Sequence, residues 1–183
     1  MEVHARAAVV ALPINTLTRV DFQPPVDAVA QLATAPQPGR SVKLWITARN
    51  VSGVPRLFDA EGLIVYARLE RRLPDGEALL VAFGCDATLQ TASIGRVQDA
   101  LAALVPGIEV TSVDTYDWNV DPWSRGTWFA AGPGQMEQTA ELAAHEDHIA
   151  FAGGDLSLAA PGTIEGAIET AKAAAARITA LLA

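Results

Sequence analysis

Ile149-Ala150-Phe151-Ala152-Gly153-Gly154-Asp155, followed by Pro161-Gly162-Thr163-Ile164-Glu165-Gly166-Ala167, is the stretch on which the reading of this sequence turns. The apolar run predicts a buried strand that ends in two glycines and an acid. A loop follows, and then a glycine at the start of a long helix. Glycines at such a place let backbone amides approach a ligand. The free N–H groups and the dipole of a helix start favour anionic or electron-rich groups. An acid at a strand's end commonly accepts hydrogen bonds from ribose or ribityl hydroxyls. The same letters also suit an ordinary strand-turn-helix with glycine punctuation, so the pattern alone leaves both readings open.

Outward from this stretch, the chain alternates between helical and strand periods. From Ile164 to Leu182 the positions 164, 167, 168, 171, 174, 175, 178, 181 and 182 are all Ile, Ala or Leu. That spacing predicts a helix whose alanine-rich stripe packs closely on a sheet, with Glu165, Glu169, Lys172 and Arg177 on the other side. Upstream, Val42–Ala48 alternates Val42, Leu44, Ile46 against Lys43, Trp45, Thr47, a strand pattern. Leu63–Arg71 and Ala78–Gly84 form an expected hairpin around Pro74-Asp75-Gly76. Ile94–Val105 reads as an amphipathic helix stopped by Pro106-Gly107, and Ile108–Tyr116 as a returning strand. Near the N-terminus, Ala7–Leu12 reads as a buried strand, Pro24-Pro25 as an extended exit, Asp27–Thr34 as a short helix and residues 35–39 as a loop. The fold class expected is α/β or α+β.

Composition narrows the function classes. Half of the 183 residues are hydrophobic and 19% are charged, which excludes disorder because so much apolar surface must be buried. No apolar run reaches the roughly 18 residues of a membrane span. The net charge of −8, without a basic block, argues against a nucleic-acid partner. Ala7–Ile14 has the length of a signal core, but Glu2 and Pro13 argue against that reading. The lone Cys85 cannot form an internal disulfide, and a cytoplasmic location is expected. The mean hydropathy of +0.22 is high for a soluble chain and points to a protein partner.

Three further segments are candidates for chemistry. Trp118, Trp123 and Trp128 fall within eleven residues beside Tyr116 and Phe129. Such a cluster suits either a pocket wall for a planar group or a core between layers. Lys43 lies among apolar neighbours, either on a solvated face or buried beside a ligand. His145 and His148 have no further ligands at metal spacing, so no metal is expected. Cys85 is expected only to pack near a strand end.

Taken in order, these segments resemble the C-terminal part of the flavin-containing amine oxidase family, which includes monoamine, polyamine and L-amino-acid oxidases. Ala8-Val9-Val10-Ala11-Leu12-Pro13 with Phe22-Gln23-Pro24-Pro25 resembles the strand leaving the flavin domain. Val42-Lys43-Leu44-Trp45 is similar to the strand whose lysine contacts a water near flavin N5. Trp118 and Ser124-Arg125-Gly126-Thr127-Trp128 resemble the family's tryptophan and its serine-glycine-aromatic turn. Phe151–Asp155 and Gly162–Ala167 resemble its closing cofactor motifs. The resemblance implies that Asp155, with Gly153 and Gly154, holds the ribityl or pyrophosphate part of FAD. It implies that Gly162, Thr163 and Ile164 offer amides to the pyrimidine end, and that Trp118 packs near the isoalloxazine. Lys43 and Trp128 would be the catalytic residues, holding a water and forming one wall of an aromatic cage.

There are departures from the family pattern. Thr163 stands where monoamine oxidases have a cage tyrosine, and Thr127 where they attach flavin through cysteine, so noncovalent FAD is expected. The glycine-rich turn that binds the ADP half of FAD is missing. The resemblance therefore implies part of a two-domain fold. Residues 1–25 would be a strand and crossover from the FAD-binding domain, 26–115 the substrate-binding domain and 116–183 the C-terminal FAD-binding segment. The chain is expected to be a small subunit or a piece of an amine or amino-acid oxidase. It would be active only in a hetero-oligomer with a larger chain that carries the dinucleotide-binding domain. The alternatives are a non-catalytic structural or regulatory subunit, and a flavin-dependent desaturase on the same scaffold.

Overall fold

The computed structural model describes residues 2–34, 38–51, 56–145 and 147–183. Most of the loop expected over 35–39 lies outside the described residues. The chain divides into two compact units, residues 1–39 with 119–183, and residues 40–118. These boundaries differ from the expected 25/26 and 115/116. The helix Asp27–Thr34 is the reason, because Val29 and Leu32 bury against Leu142 and Phe151 of the first unit.

The unit 40–118 is an antiparallel sheet with a helix on one face. Its strands are β2 (Val42–Arg49), β3 (Arg56–Phe58), β4 (Tyr66–Arg72), β5 (Ala78–Gly84) and β6 (Glu109–Thr115), in the order β3-β4-β5-β2-β6. The alternation of β2 sends Val42, Leu44, Ile46 and Ala48 into the core with Leu80 and Ala82 of β5. Helix α3 (Ile94–Ala102) closes that face with Val97 and Leu101. Ser93 caps its start by accepting from the Arg96 N–H. Gln98 ties it to β6, donating to Ile108 O and accepting from Val110 N–H, both at 2.7 Å. The expected hairpin is present. Gly76 at φ +86 makes the turn, and Leu73 N–H donates to Glu77 O at 2.8 Å.

In the other unit, β1 (Ala8–Val10) pairs in parallel with β7 (Ile149–Phe151), Val9 opposite Ala150. Helices α1 (Ile14–Leu17), α2 (Asp27–Thr34) and α4 (Gln135–Ala143) gather around Phe22, Leu142, Phe151 and Leu156. Helix α5 (Ile164–Leu182) lies against β7, with Ala174 and Ile178 on Ala150 and Ala152.

Three expectations need correction. The first strand is three residues long, not six, and Ala8 and Val9 are exposed rather than buried. The most buried line of α5 runs along Gly166, Thr170 and Ala174, of which only Ala174 belongs to the expected stripe. Small residues are needed where the helix meets the chain closely, since a Cβ at Gly166 would collide with the Ala160 carbonyl. Ile164, Ile168, Ala171 and Ala175 are left exposed. Finally, Glu169 and Arg177 are not on a free solvated side. Glu169 accepts from the Ser157 hydroxyl at 2.7 Å, and Arg177 donates to Ala143 O and His145 O at the end of α4.

Helix α4 has no apolar period to announce it, because two of the three residues it buries, Gln135 and Thr139, are polar. Cys85 follows β5 directly and is exposed rather than packed. No helix among the described residues is long and apolar enough to cross a membrane.

Candidate functional site

The loop between β7 and α5 carries most of the expected cofactor residues and folds back on itself. Two residues beyond β7 stands Gly153, whose φ of +153 only glycine adopts without strain, and Gly154–Leu156 makes one tight turn. The loop then folds back, and Gly162 N–H donates to Gly154 O at 2.9 Å. A Cβ on Gly154 would sit 2.8 Å from the Thr163 carbonyl oxygen, so backbone meets backbone there with no room for a side chain. Gly162 lies against Phe129, which brings the Trp128-Phe129 segment to the same loop. The structure thus gathers Gly153, Gly154, Asp155, Gly162, Thr163, Ile164 and the neighbour of Trp128 within one unit.

Asp155 is half-buried, and burial pushes its carboxyl pKa above the ordinary value, partly opposed by the hydrogen bond from Ile14 N–H. That bond, 3.3 Å to Oδ2, is the single one Asp155 makes among the described residues, and Oδ1 has no protein partner there. A carboxylate held at this cost with an acceptor oxygen to spare suits a ligand rich in hydroxyl donors.

The helix start behaves differently from the sequence expectation. The amides of Gly162 and Thr163 are engaged within the loop, by Gly154 O and Ala160 O. The Thr163 hydroxyl accepts from Gly166 N–H at 3.0 Å and donates to Ala160 O at 2.8 Å, so this residue caps the helix. The Ile164 amide lies in the first turn, where helix N–H groups lack intrahelical acceptors.

Lys43 and Trp118 belong to the other unit. Lys43 projects from the sheet face opposite the core, its ammonium over the Trp45 ring. Trp118 packs edge-on against Tyr116, with ring centroids 4.7 Å apart. The tryptophans are not a core cluster: Trp118, Trp123 and Trp128 are 46%, 77% and 55% exposed. Arg19 covers Trp123, and Asp121 shapes the turn by accepting from Trp123 and Ser124 N–H groups. His148 Nδ1 lies 2.9 Å from Arg6 O, and His145 packs on Phe151.

Residues that hold the loop escaped the sequence reading. Thr170 bonds both polar atoms of the Gly153 backbone from the second turn of α5, and Ser157 ties Ala160 N–H to Glu169. A threonine buried within an alanine-rich helix is the one signal that could have found Thr170.

The residues present fit a flavin cofactor: a backbone cradle, an acceptor carboxylate and a helix start in one loop. Comparison with known proteins agrees. The profile of the flavin containing amine oxidoreductases matches residues 1–179. The chain is 35% identical over 174 residues to pseudooxynicotine dehydrogenase of Pseudomonas sp., covering 92% of this chain and 35% of that protein. It is 34% identical over 173 residues to (S)-6-hydroxynicotine oxidase of Paenarthrobacter nicotinovorans, covering 93% and 40%. Putrescine oxidase bound to putrescine superposes with a TM-score of 0.80 at 20% identity, over 95% of this chain and 42% of that one. The chain therefore spans well under half the length of the relatives it matches. Within that span the match is nearly continuous, and the chain belongs to the flavin-containing amine oxidoreductase family.

Proposed function

We propose that this chain carries the amine-orienting part, and one end of the cofactor cradle, of a noncovalent FAD-dependent amine oxidase. The observation that carries the reading is the β7–α5 loop, where a half-buried carboxylate and a glycine pressed onto the helix start form a cradle made of backbone. The chemistry a bound flavin supplies is two-electron oxidation, hydride acceptance from the carbon bearing a neutral amine, leaving an imine that water hydrolyses.

Asp155 accepts hydroxyl hydrogen bonds of the cofactor through Oδ1, and Gly153 and Gly154 let its polyol part approach the main chain. Ile164 offers an amide donor at the start of α5. Trp118 packs beside the ring system, and Thr127, having no thiol, leaves the attachment noncovalent. Trp128 walls the amine, and Lys43 holds a water by its ammonium. Fixing the reacting carbon and excluding stray water is the protein's share of the rate.

A larger polypeptide carrying the dinucleotide-binding domain completes the assembly. The uncovered apolar residues Val9 and Leu12, on and just after β1, and Ile164 and Ile168, on α5, support this partner. The exposed thiol of Cys85 suits a reducing compartment, the cytoplasm. Nicotine-type amines, named for two relatives, are the first substrates to try, with amino acids as the contrast.

A visible absorption spectrum of the material that co-purifies with this chain from its native source, with a denaturing gel, tests the reading. An oxidised flavin spectrum, a second larger band and bleaching by amines support it. A colourless single chain that no partner restores sinks it. A non-catalytic subunit is the second reading, favoured by the use of Thr163 as a cap. It predicts that Lys43→Met and Trp128→Ala leave oxidation by the assembled complex unchanged.

A further inference from the structure

The face of the sheet opposite the core carries a row of aromatic rings that ends at Lys43. The register places Phe58, Tyr66, Phe83 and Lys43 opposite one another on four successive strands, β3, β4, β5 and β2. Side chains directly opposite in an antiparallel pair share a face and touch. Phe58 and Tyr66 lie 4.9 Å apart, and Tyr66 and Phe83 stack at 5.9 Å with 21° between their planes. At the end of this row, the Lys43 ammonium sits 6.0 Å from the Phe83 ring centroid and 4.6 Å from that of Trp45, two residues along its own strand.

An exposed lysine commonly pairs with a carboxylate or extends into water. Lys43 does neither. Asp114 is opposite Trp45 in the register, yet among the described residues no carboxylate forms an ion pair with Lys43. Two π faces attract the cation without neutralising it or using up its N–H donors. The ammonium is thereby held in place while all three of its hydrogens remain available to another acceptor.

We propose that Trp45 and Phe83 are positioning residues for Lys43. The rings fix where its ammonium stands, and Tyr66, stacked behind Phe83, keeps that ring from turning away. The role rests on the functional reading above, in which Lys43 holds a water beside the reacting amine. It adds a requirement that the family resemblance does not contain: aromatic rings at positions 45 and 83.

The chain has two lysines, Lys43 and Lys172, which makes the arrangement directly observable. In the full chain labelled with 13C-lysine, the ε-methylene protons of Lys43 appear upfield of those of Lys172, which stands on the exposed side of α5. The upfield shift is lost in Trp45→Leu and retained in Trp45→Phe. In the flavin-loaded complex, Trp45→Leu and Phe83→Leu slow flavin reduction at saturating amine by about ten- to a hundred-fold, the usual effect of a small misplacement. Their KM changes little, and Trp45→Phe restores most of the rate.

Coincident ε-methylene signals for the two lysines overturn the proposal whatever the activity. A clear shift with normal flavin reduction in Trp45→Leu, where Lys43→Met is slow, overturns the positioning role alone. A Lys43→Met complex with undiminished rate overturns the functional reading of the lysine, and the positioning role falls with it even if the shift is seen.

Discussion

Thr170 holds Gly153 by both polar atoms of its backbone: the hydroxyl oxygen lies 3.0 Å from Gly153 N and 3.0 Å from Gly153 O. Seventeen residues separate the two, so the bond fastens the chain just beyond β7 to the second turn of α5. The loop carrying Asp155 springs from that fastening. The hydroxyl accepts the Gly153 N–H and has a single hydrogen to donate, shared among Gly153 O and the carbonyls of Gly166 and Ala167.

Replacing Thr170 with valine keeps the shape and removes the hydroxyl. The Gly153 N–H then loses its acceptor in a part-buried place, which costs about 1–3 kcal/mol. Urea denaturation measures the loss. Thr170→Ser, which keeps the oxygen, stays close to the unsubstituted chain, and equal losses in both variants would show that packing, not the hydrogen bond, is what matters.

Gly154→Ala drives a methyl group to 2.8 Å from the Thr163 carbonyl, and neither side is a flexible chain end. The loop must open, at about 1–3 kcal/mol. Flavin retention by the assembled complex falls with it, as read by the colour left after gel filtration. Gly76→Ala makes the control, since its hairpin turn belongs to the other unit and the β7–α5 loop is untouched.

Burial raises the pKa of Asp155, and the sign of its effect follows from that. The folded chain holds this proton more tightly than the unfolded chain does. Stability therefore falls as pH rises from the ordinary carboxylate range through the raised value, and stays lower above it. Asp155→Asn removes the charge and keeps an oxygen for Ile14 N–H. Near neutral pH the variant resists urea better than the parent, and the difference shrinks as the pH drops into the ordinary carboxylate range. The same variant retains flavin less well, the trade expected where a residue serves binding at the expense of the fold.

Trp128 separates function from folding. Its ring is 55% exposed, so Trp128→Ala shifts the urea midpoint little, within about 0.5 kcal/mol. Amine-dependent flavin reduction in the complex drops sharply if the indole is a wall for the substrate. Unchanged reduction would move the site elsewhere.

The sequence by itself determined the elements whose period is local. Helix α5 over Ile164–Leu182, helix α2 over Asp27–Thr34 and strand β5 over Ala78–Gly84 stand at the bounds their patterns predict. Period, cap and turn are properties of a few neighbouring residues, and Thr163, Pro106 and Gly76 state them in place. The order of motifs from Lys43 to Gly162 was equally legible, and with it the family. Tertiary structure alone decided which sides of those elements are used. It paired β1 with β7 across most of the chain, buried α5 along Gly166, Thr170 and Ala174, and set Gln135 and Thr139 inward to make a helix with no apolar period. It held the Gly153 backbone by the Thr170 hydroxyl and laid Lys43 against rings from two strands. Each of these depends on which atoms meet at long sequence separation, and a one-dimensional pattern carries residue types but not their meeting points.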